Sequence, residues 1–250
     1  MKKITTLLAT LSMALAANAG EAPPPAKNSQ PITPALDPHG NVIFAGLDVR
    51  EYSWYTHLGY MYALNGDLGT SGLFLRAFSG LGEYEYDQRA LANSEVQGRI
   101  FDADLSLGYR YLTGNFVIGG FAGLHVHDLN LFDRDPTNPG GGTDFGARFG
   151  LDVTGTTGPI YWSAIGQYST VEQAIWSRAR VGYTFGKVIV GPEVVYLEDD
   201  RFDEYRLGGF VKVQILANMS ITGAAGVANY DGQFGDDQSF YGSLGLVFTF

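Results

Sequence analysis

Three histidines, His57, His125 and His127, stand in the part of the chain that carries regular structure. Histidine is the side chain best suited to general base work near neutral pH. A hydrolase of lipid A or phospholipid would pair such a base with a serine and present both to acyl chains. Strand parity instead puts all three on the side that carries the charges, His125 and His127 interleaving with apolar Leu124 and Val126. They read as histidines satisfied inside the molecule. No catalytic residue, no metal site and no cofactor is expected, and the chain is not expected to be an enzyme.

The same face gathers charges of both signs: Asp48, Arg50, Arg76, Asp102, Asp104, Arg110, Arg148, Asp152, Arg178, Arg180, Glu193, Arg206 and Lys212. Two uses follow from such a set. The charges bridge one another and fill an interior, or they border a narrow path for an anionic or sugar-like solute. For the second use Arg110, Arg148, Arg178, Arg180 and Arg206 are the favoured contacts, because planar guanidinium forks match carboxylates. The acidic stretches 83–87, 198–200 and 236–237 offer oxygen ligands to divalent cations but lack EF-hand spacing, so they read as solvated loops. Trp54, Tyr55, Tyr84, Tyr86 and Trp176 either stack on sugars or belong to an interfacial girdle.

The element that places these residues is a β-strand. In Phe101 to Leu112, apolar Phe101, Ala103, Leu105, Leu107, Tyr109 and Tyr111 alternate with Asp102, Asp104, Ser106, Gly108 and Arg110. Successive strand side chains point to opposite faces, so one face is apolar and the other polar. The pattern recurs at 145–154 and 177–185. It predicts twelve strands: 42–50, 53–64, 72–86, 99–112, 116–131, 144–154, 159–169, 175–185, 188–198, 204–216, 219–229 and 239–250.

Soluble sandwiches alternate too, and the connectors separate the two readings. Thr113-Gly114-Asn115, Gly155 to Gly158, Gly186-Lys187 and Ala217-Asn218 are tight, whereas 87–98, 132–143, 199–203 and 230–238 are longer and acidic. Short turns at one end and longer loops at the other mark an outer-membrane barrel, with both termini periplasmic. The 65–71 connector is long for a periplasmic turn, and the Glu51 to Ser53 connection is short for an outside loop. Pro192 falls inside a predicted strand and cannot donate to the ladder, which predicts a bulge.

Residues 1–19 read as a signal peptide: Lys2 and Lys3, an apolar run, then Ala17-Asn18-Ala19 for cleavage. Residues 20–40 hold six of the ten prolines and read as a disordered periplasmic arm, leaving 41–250 as the barrel. Cleavage removes two of 16 Lys+Arg and none of 26 Asp+Glu, raising the acidic excess from 10 to 12, so nucleic acid is not an expected partner. There is no cysteine for a disulfide or a lipid anchor. With 34 Gly, 15 Tyr and 16 Phe, the composition suits aromatic girdles and a crowded inner wall. The last strand ends with Phe248 and Phe250 on its apolar face, which resembles the signal read by the barrel-assembly machinery. Outer-membrane lipid and lipopolysaccharide are the expected surroundings.

The runs FAGLDVREYSWYTHLGYMYALNGDL (44–68), FLRAFSGLGEYEY (74–86) and GPEVVYLEDDRFDEYRLGGFV (191–211) resemble the alphaproteobacterial cellulose biosynthesis protein BcsS family. The resemblance covers residues 41–250 and implies an outer-membrane accessory in cellulose biosynthesis or secretion, structural or glucan-contacting. Cellulose or its secretion apparatus is then a partner. It supplies no active-site residues. A narrow solute channel is the alternative, and a lipid-modifying hydrolase the second.

Overall fold

The computed structural model describes residues 39–88, 94–132, 141–200, 202–232 and 235–250. The predicted signal peptide, most of the predicted arm and the 133–140 loop lie outside them. Twelve strands run through the described residues: β1 (Asn41–Arg50), β2 (Ser53–Ala63), β3 (Gly72–Gln88), β4 (Ser94–Thr113), β5 (Phe116–Leu131), β6 (Gly142–Thr157), β7 (Ile160–Ser169), β8 (Ile175–Phe185), β9 (Val188–Glu198), β10 (Phe202–Leu216), β11 (Met219–Gly232) and β12 (Gly235–Thr249). Each pairs antiparallel with its sequence neighbours, and β1 pairs with β12 to close the barrel. Closure gives every strand two neighbours and leaves no free edge, which a spanning sheet requires. The seam is also tied beyond the ladder, where Asn41 N donates to Phe250 O at 3.1 Å and Phe250 N to Asn41 O at 3.0 Å.

The apolar parity set faces outward. Leu105 is 63% exposed, Leu124 75%, Phe145 78% and Phe240 81%, with Phe101 and Tyr109 in the same outward row. Such a band is stable only when acyl chains cover it. The opposite parity set is buried: Asp102, Asp104, Ser106, His125 and His127 all turn inward.

Two apolar clusters stand among the buried residues beside the charges. Ala63, Leu68, Phe74 and Phe121 pack at the end that holds the termini, and Tyr161, Ile189, Phe210 and Ala224 pack against the other wall. Leu68 explains the long 64–71 connector. His39 O accepts from Leu68 N at 3.0 Å and Gly40 O from Ala63 N at 2.8 Å, so the connector folds under the mouth and inserts its leucine.

Three expectations need correction. The 87–98 and 230–238 segments are ladder for most of their length, paired out to Gln88↔Ser94 and Gly232↔Gly235, so the strands run on into both segments. No register shift occurs at Pro192. The β8–β9 ladder skips from Arg180↔Glu193 to Tyr183↔Val190 with unchanged register, so the missing donor is absorbed by an interrupted ladder. Among the described residues a register shift falls instead between Gln214 and Leu216. Lastly, His39 and Gly40 at the end of the predicted arm are bonded to the barrel.

Candidate functional site

On one wall β4, β5 and β6 bring a buried polar centre together. His125 and His127 are two apart on β5 and therefore share its inner face. In register, Asp102 of β4 lies opposite His127 and Asp104 opposite His125. Asp102 Oδ1 stands 2.9 Å from His125 Nε2 and 3.1 Å from His127 Nδ1. Tyr55 donates to the other oxygen at 3.3 Å. Arg148 of β6 places Nη2 3.4 Å from Asp102 Oδ1 and 2.5 Å from His125 Nε2, while its Nη1 donates to Asp104 Oδ2 at 3.0 Å. Asp104 also accepts from Arg76 and, at 3.0 Å, from Ser106.

The outer nitrogens of the two imidazoles face the last residue of β7 and the turn that follows it. His125 Nδ1 meets Ser169 Oγ at 2.7 Å, and His127 Nε2 lies 3.6 Å from Glu172 Oε2. This turn bends into the barrel. Thr170 N donates to Ala147 O and Ala147 N to Thr170 Oγ1, both at 2.9 Å. Glycine at 146 makes that possible, since a Cβ there would meet Thr170 Oγ1 at 2.5 Å. Glu172 and Gln173 have φ of 53° and 49°, a left-handed pair that turns the chain back toward β8.

A second network spans the other wall. Arg50 of β1 and Arg206 of β10 share the fully buried Glu204, with Arg206 Nε 2.7 Å from Oε1. Arg206 Nη1 donates to Asp48 at 3.2 Å. Beside it Glu193 accepts from Arg180 and, at 3.2 Å, from Tyr241. Two strands, β11 and β12, lie between β10 and β1 in the ladder, so these bonds reach across the curve of the wall.

A profile of the family described as Cellulose biosynthesis protein BcsS matches residues 42–250. The chain belongs to that family. No curated protein matches it significantly. Among solved structures, it is similar to the COG4313 outer membrane channel from Pseudomonas putida F1, at 12% identity and TM-score 0.57, over 92% of this chain and 100% of that one. It is also similar to LpxR from Salmonella typhimurium, at 12% identity and TM-score 0.49, over 84% of this chain and 100% of that one. At 12% identity the likeness to the COG4313 channel speaks to the outer-membrane barrel fold alone.

In this BcsS-family barrel the structure divides the five arginines favoured from the sequence. Arg148, Arg180 and Arg206 are bonded to carboxylates. Among the described residues Arg110 and Arg178 have no carboxylate at ion-pair distance. Arg110 Nε is buried without a hydrogen-bond partner, and Asp152 acts on that guanidinium only from farther off. Arg178 lies over the Trp176 ring at 5.3 Å, and Lys212 over Tyr161 at 5.3 Å. Arg76 is packed among Phe44, Phe78 and Phe121, 4.4 Å from the last ring centroid. His57 sits apart, stacked on Phe78 at 5.7 Å. Tyr55 is engaged with Asp102 inside the barrel, where it cannot stack on a sugar at the rim. Of the acidic outer stretch, Glu83 is paired with Arg99 at 2.7 Å and Glu85 accepts from Gln97 at 3.0 Å.

Ser169, Glu172 and Glu204 were not singled out from the sequence. Glu204 carried a signal, being two residues before Arg206 and so on the same face. Ser169 carried a weaker one, since its partner His125 lies across β6 and their meeting depends on two ladder registers.

Proposed function

We propose that this chain is an outer-membrane scaffold serving cellulose biosynthesis, exported by its predicted signal peptide, with a closed interior and contacts to glucan or the secretion apparatus at the outer end. Family membership supports the process. The observation that carries the mechanical reading is the sharing of Glu204 by Arg50 and Arg206 across two intervening strands. Breaking such a buried pair leaves an uncompensated charge at a cost of about 3–5 kcal/mol, so thermal opening at this level is rare. Trp176, near the outer end of β8 on the same face as Arg178, whose guanidinium lies over its ring, is the candidate aromatic for a glucan at the mouth.

The test has two arms. Deleting the gene is expected to lower or misplace secreted cellulose, and normal output and placement would remove the process reading. Purified barrel in a planar bilayer is expected to show no steady conductance, whereas an open pore would favour a channel.

The channel has one specific observation in its favour: among the described residues Arg110 and Arg178 have no carboxylate at ion-pair distance. If it conducts, Arg110→Ala and Arg178→Ala are expected to lower its preference for anionic sugars.

A further inference from the structure

We propose that Asp102, His125 and His127 bind one divalent first-row transition-metal ion inside the barrel. This goes beyond the scaffold reading and does not depend on it.

The three side chains each offer one ligand atom, and these atoms lie within 4.8 Å of one another. An ion with bonds of about 2.0–2.2 Å holds its ligands roughly 3.4 Å apart in a tetrahedral site. The observed 2.9 Å and 3.1 Å separations from Asp102 Oδ1 need to open by a few tenths of an ångström, and the two ring nitrogens, within 4.8 Å of one another, must settle at the same spacing.

Proton placement supplies the stronger reason. Arg148 Nη2 lies 2.5 Å from His125 Nε2, and a guanidinium N–H directed at that nitrogen requires a lone pair there. The imidazole proton then sits on Nδ1 and donates to Ser169 Oγ at 2.7 Å. With that tautomer, His125 Nε2 and Asp102 Oδ1 are two acceptors facing one another with no proton between them. In this structure the Arg148 guanidinium is the cation they share, and a metal ion taking its place would satisfy the same two acceptors.

The outer sphere fits the same reading. A metal-bound histidine characteristically gives its other N–H to a carboxylate, hydroxyl or carbonyl that fixes its tautomer. Ser169 serves His125 in this way, and Glu172 faces His127 Nε2 at 3.6 Å. Two imidazoles and one carboxylate favour zinc, cobalt, nickel or copper over magnesium and calcium, which prefer oxygen throughout. Three protein ligands leave a fourth position open to water or to a ligand from the interior. Arg148 must withdraw as the ion enters, and its Nη1 bond to Asp104 gives it a second anchor.

The experiment uses tag-free mature protein, folded in detergent, stripped with a chelator and titrated with Co2+. A visible ligand-field band is expected to saturate at one equivalent and to vanish on adding Zn2+. His125→Gln with His127→Gln is expected to weaken binding by at least 100-fold, and Glu172→Gln or Ser169→Ala by about 10- to 100-fold. Arg148→Ala is expected to tighten it, because the competing cation is gone. Folding of each variant is checked by its heat-dependent shift in electrophoretic mobility. If the double variant does not fold, Glu172→Gln, in the turn outside the ladder, carries the comparison. A wild-type chain with no saturable band overturns the proposal, as does a folded double or Glu172→Gln variant that binds as tightly as wild type.

Discussion

Arg148 reaches from β6 across the whole of β5 to place its Nη2 3.4 Å from Oδ1 of Asp102 on β4. The residue opposite Arg148 on the intervening strand is Gly123, so the long side chain crosses where the wall is thinnest. Neighbouring strands lie about 4.8 Å apart, so spanning two spacings requires an extended arginine and nothing bulky beneath it.

Gly123→Val therefore blocks the crossing. A Cβ at this position would already lie 2.1 Å from Leu105 O and 2.4 Å from Ser106 Oγ. Overpacking of this kind costs about 1–3 kcal/mol, and separating Arg148 from Asp102 adds to it. Urea unfolding in lipid vesicles, followed by tryptophan fluorescence, is expected to show a lower midpoint. An unchanged midpoint would mean that the wall relaxes freely.

Asp104→Asn removes the carboxylate bonded to Arg76 and leaves Arg148 with Asp102 alone. Arg76 is buried, so a loss of about 3–5 kcal/mol is expected in the same assay. Glu83→Gln is the contrast. It breaks the Arg99 pair, whose side chains are 50% and 38% exposed, and exposed pairs contribute below about 1 kcal/mol. Equal losses for the two variants would contradict the distinction between interior and rim.

Leu105→Arg puts a charge into the outward band at a residue 63% exposed to its surroundings. A charge at mid-bilayer depth costs about 2–4 kcal/mol in a transmembrane barrel. Leu105→Phe keeps the surface apolar and is expected to be nearly neutral. If the arginine variant unfolds at the wild-type urea midpoint, acyl chains do not cover this face.

Phe250→Ala retains the backbone bonds to Asn41 while removing the ring stacked on Phe248 at 5.5 Å. We expect it to lower the amount of folded barrel recovered from outer membranes several-fold, with little effect on the urea midpoint of the protein that does fold. A matching fall in both would make Phe250 a packing residue and deny it a part in assembly.

What the sequence by itself determined is what an extended backbone determines locally. Side chains at i and i+2 share a face, so the alternation in 101–112 placed Leu105 outside and Asp102 inside before any neighbour was known. The Gly-rich tight connectors likewise located the turns at one end of the barrel. Only the tertiary structure decided which charges meet. The pairing of Arg50 with Glu204 depends on closure through β12 and β11. The meeting of Arg148 with Asp102 depends on the registers of two ladders and on a glycine between them. Ser169 joined the histidine centre through the registers of β5, β6 and β7, and Glu172 because the turn after β7 folds inward over Gly146. Each of these contacts joins groups at least 20 residues apart, and no period within a single strand encodes them.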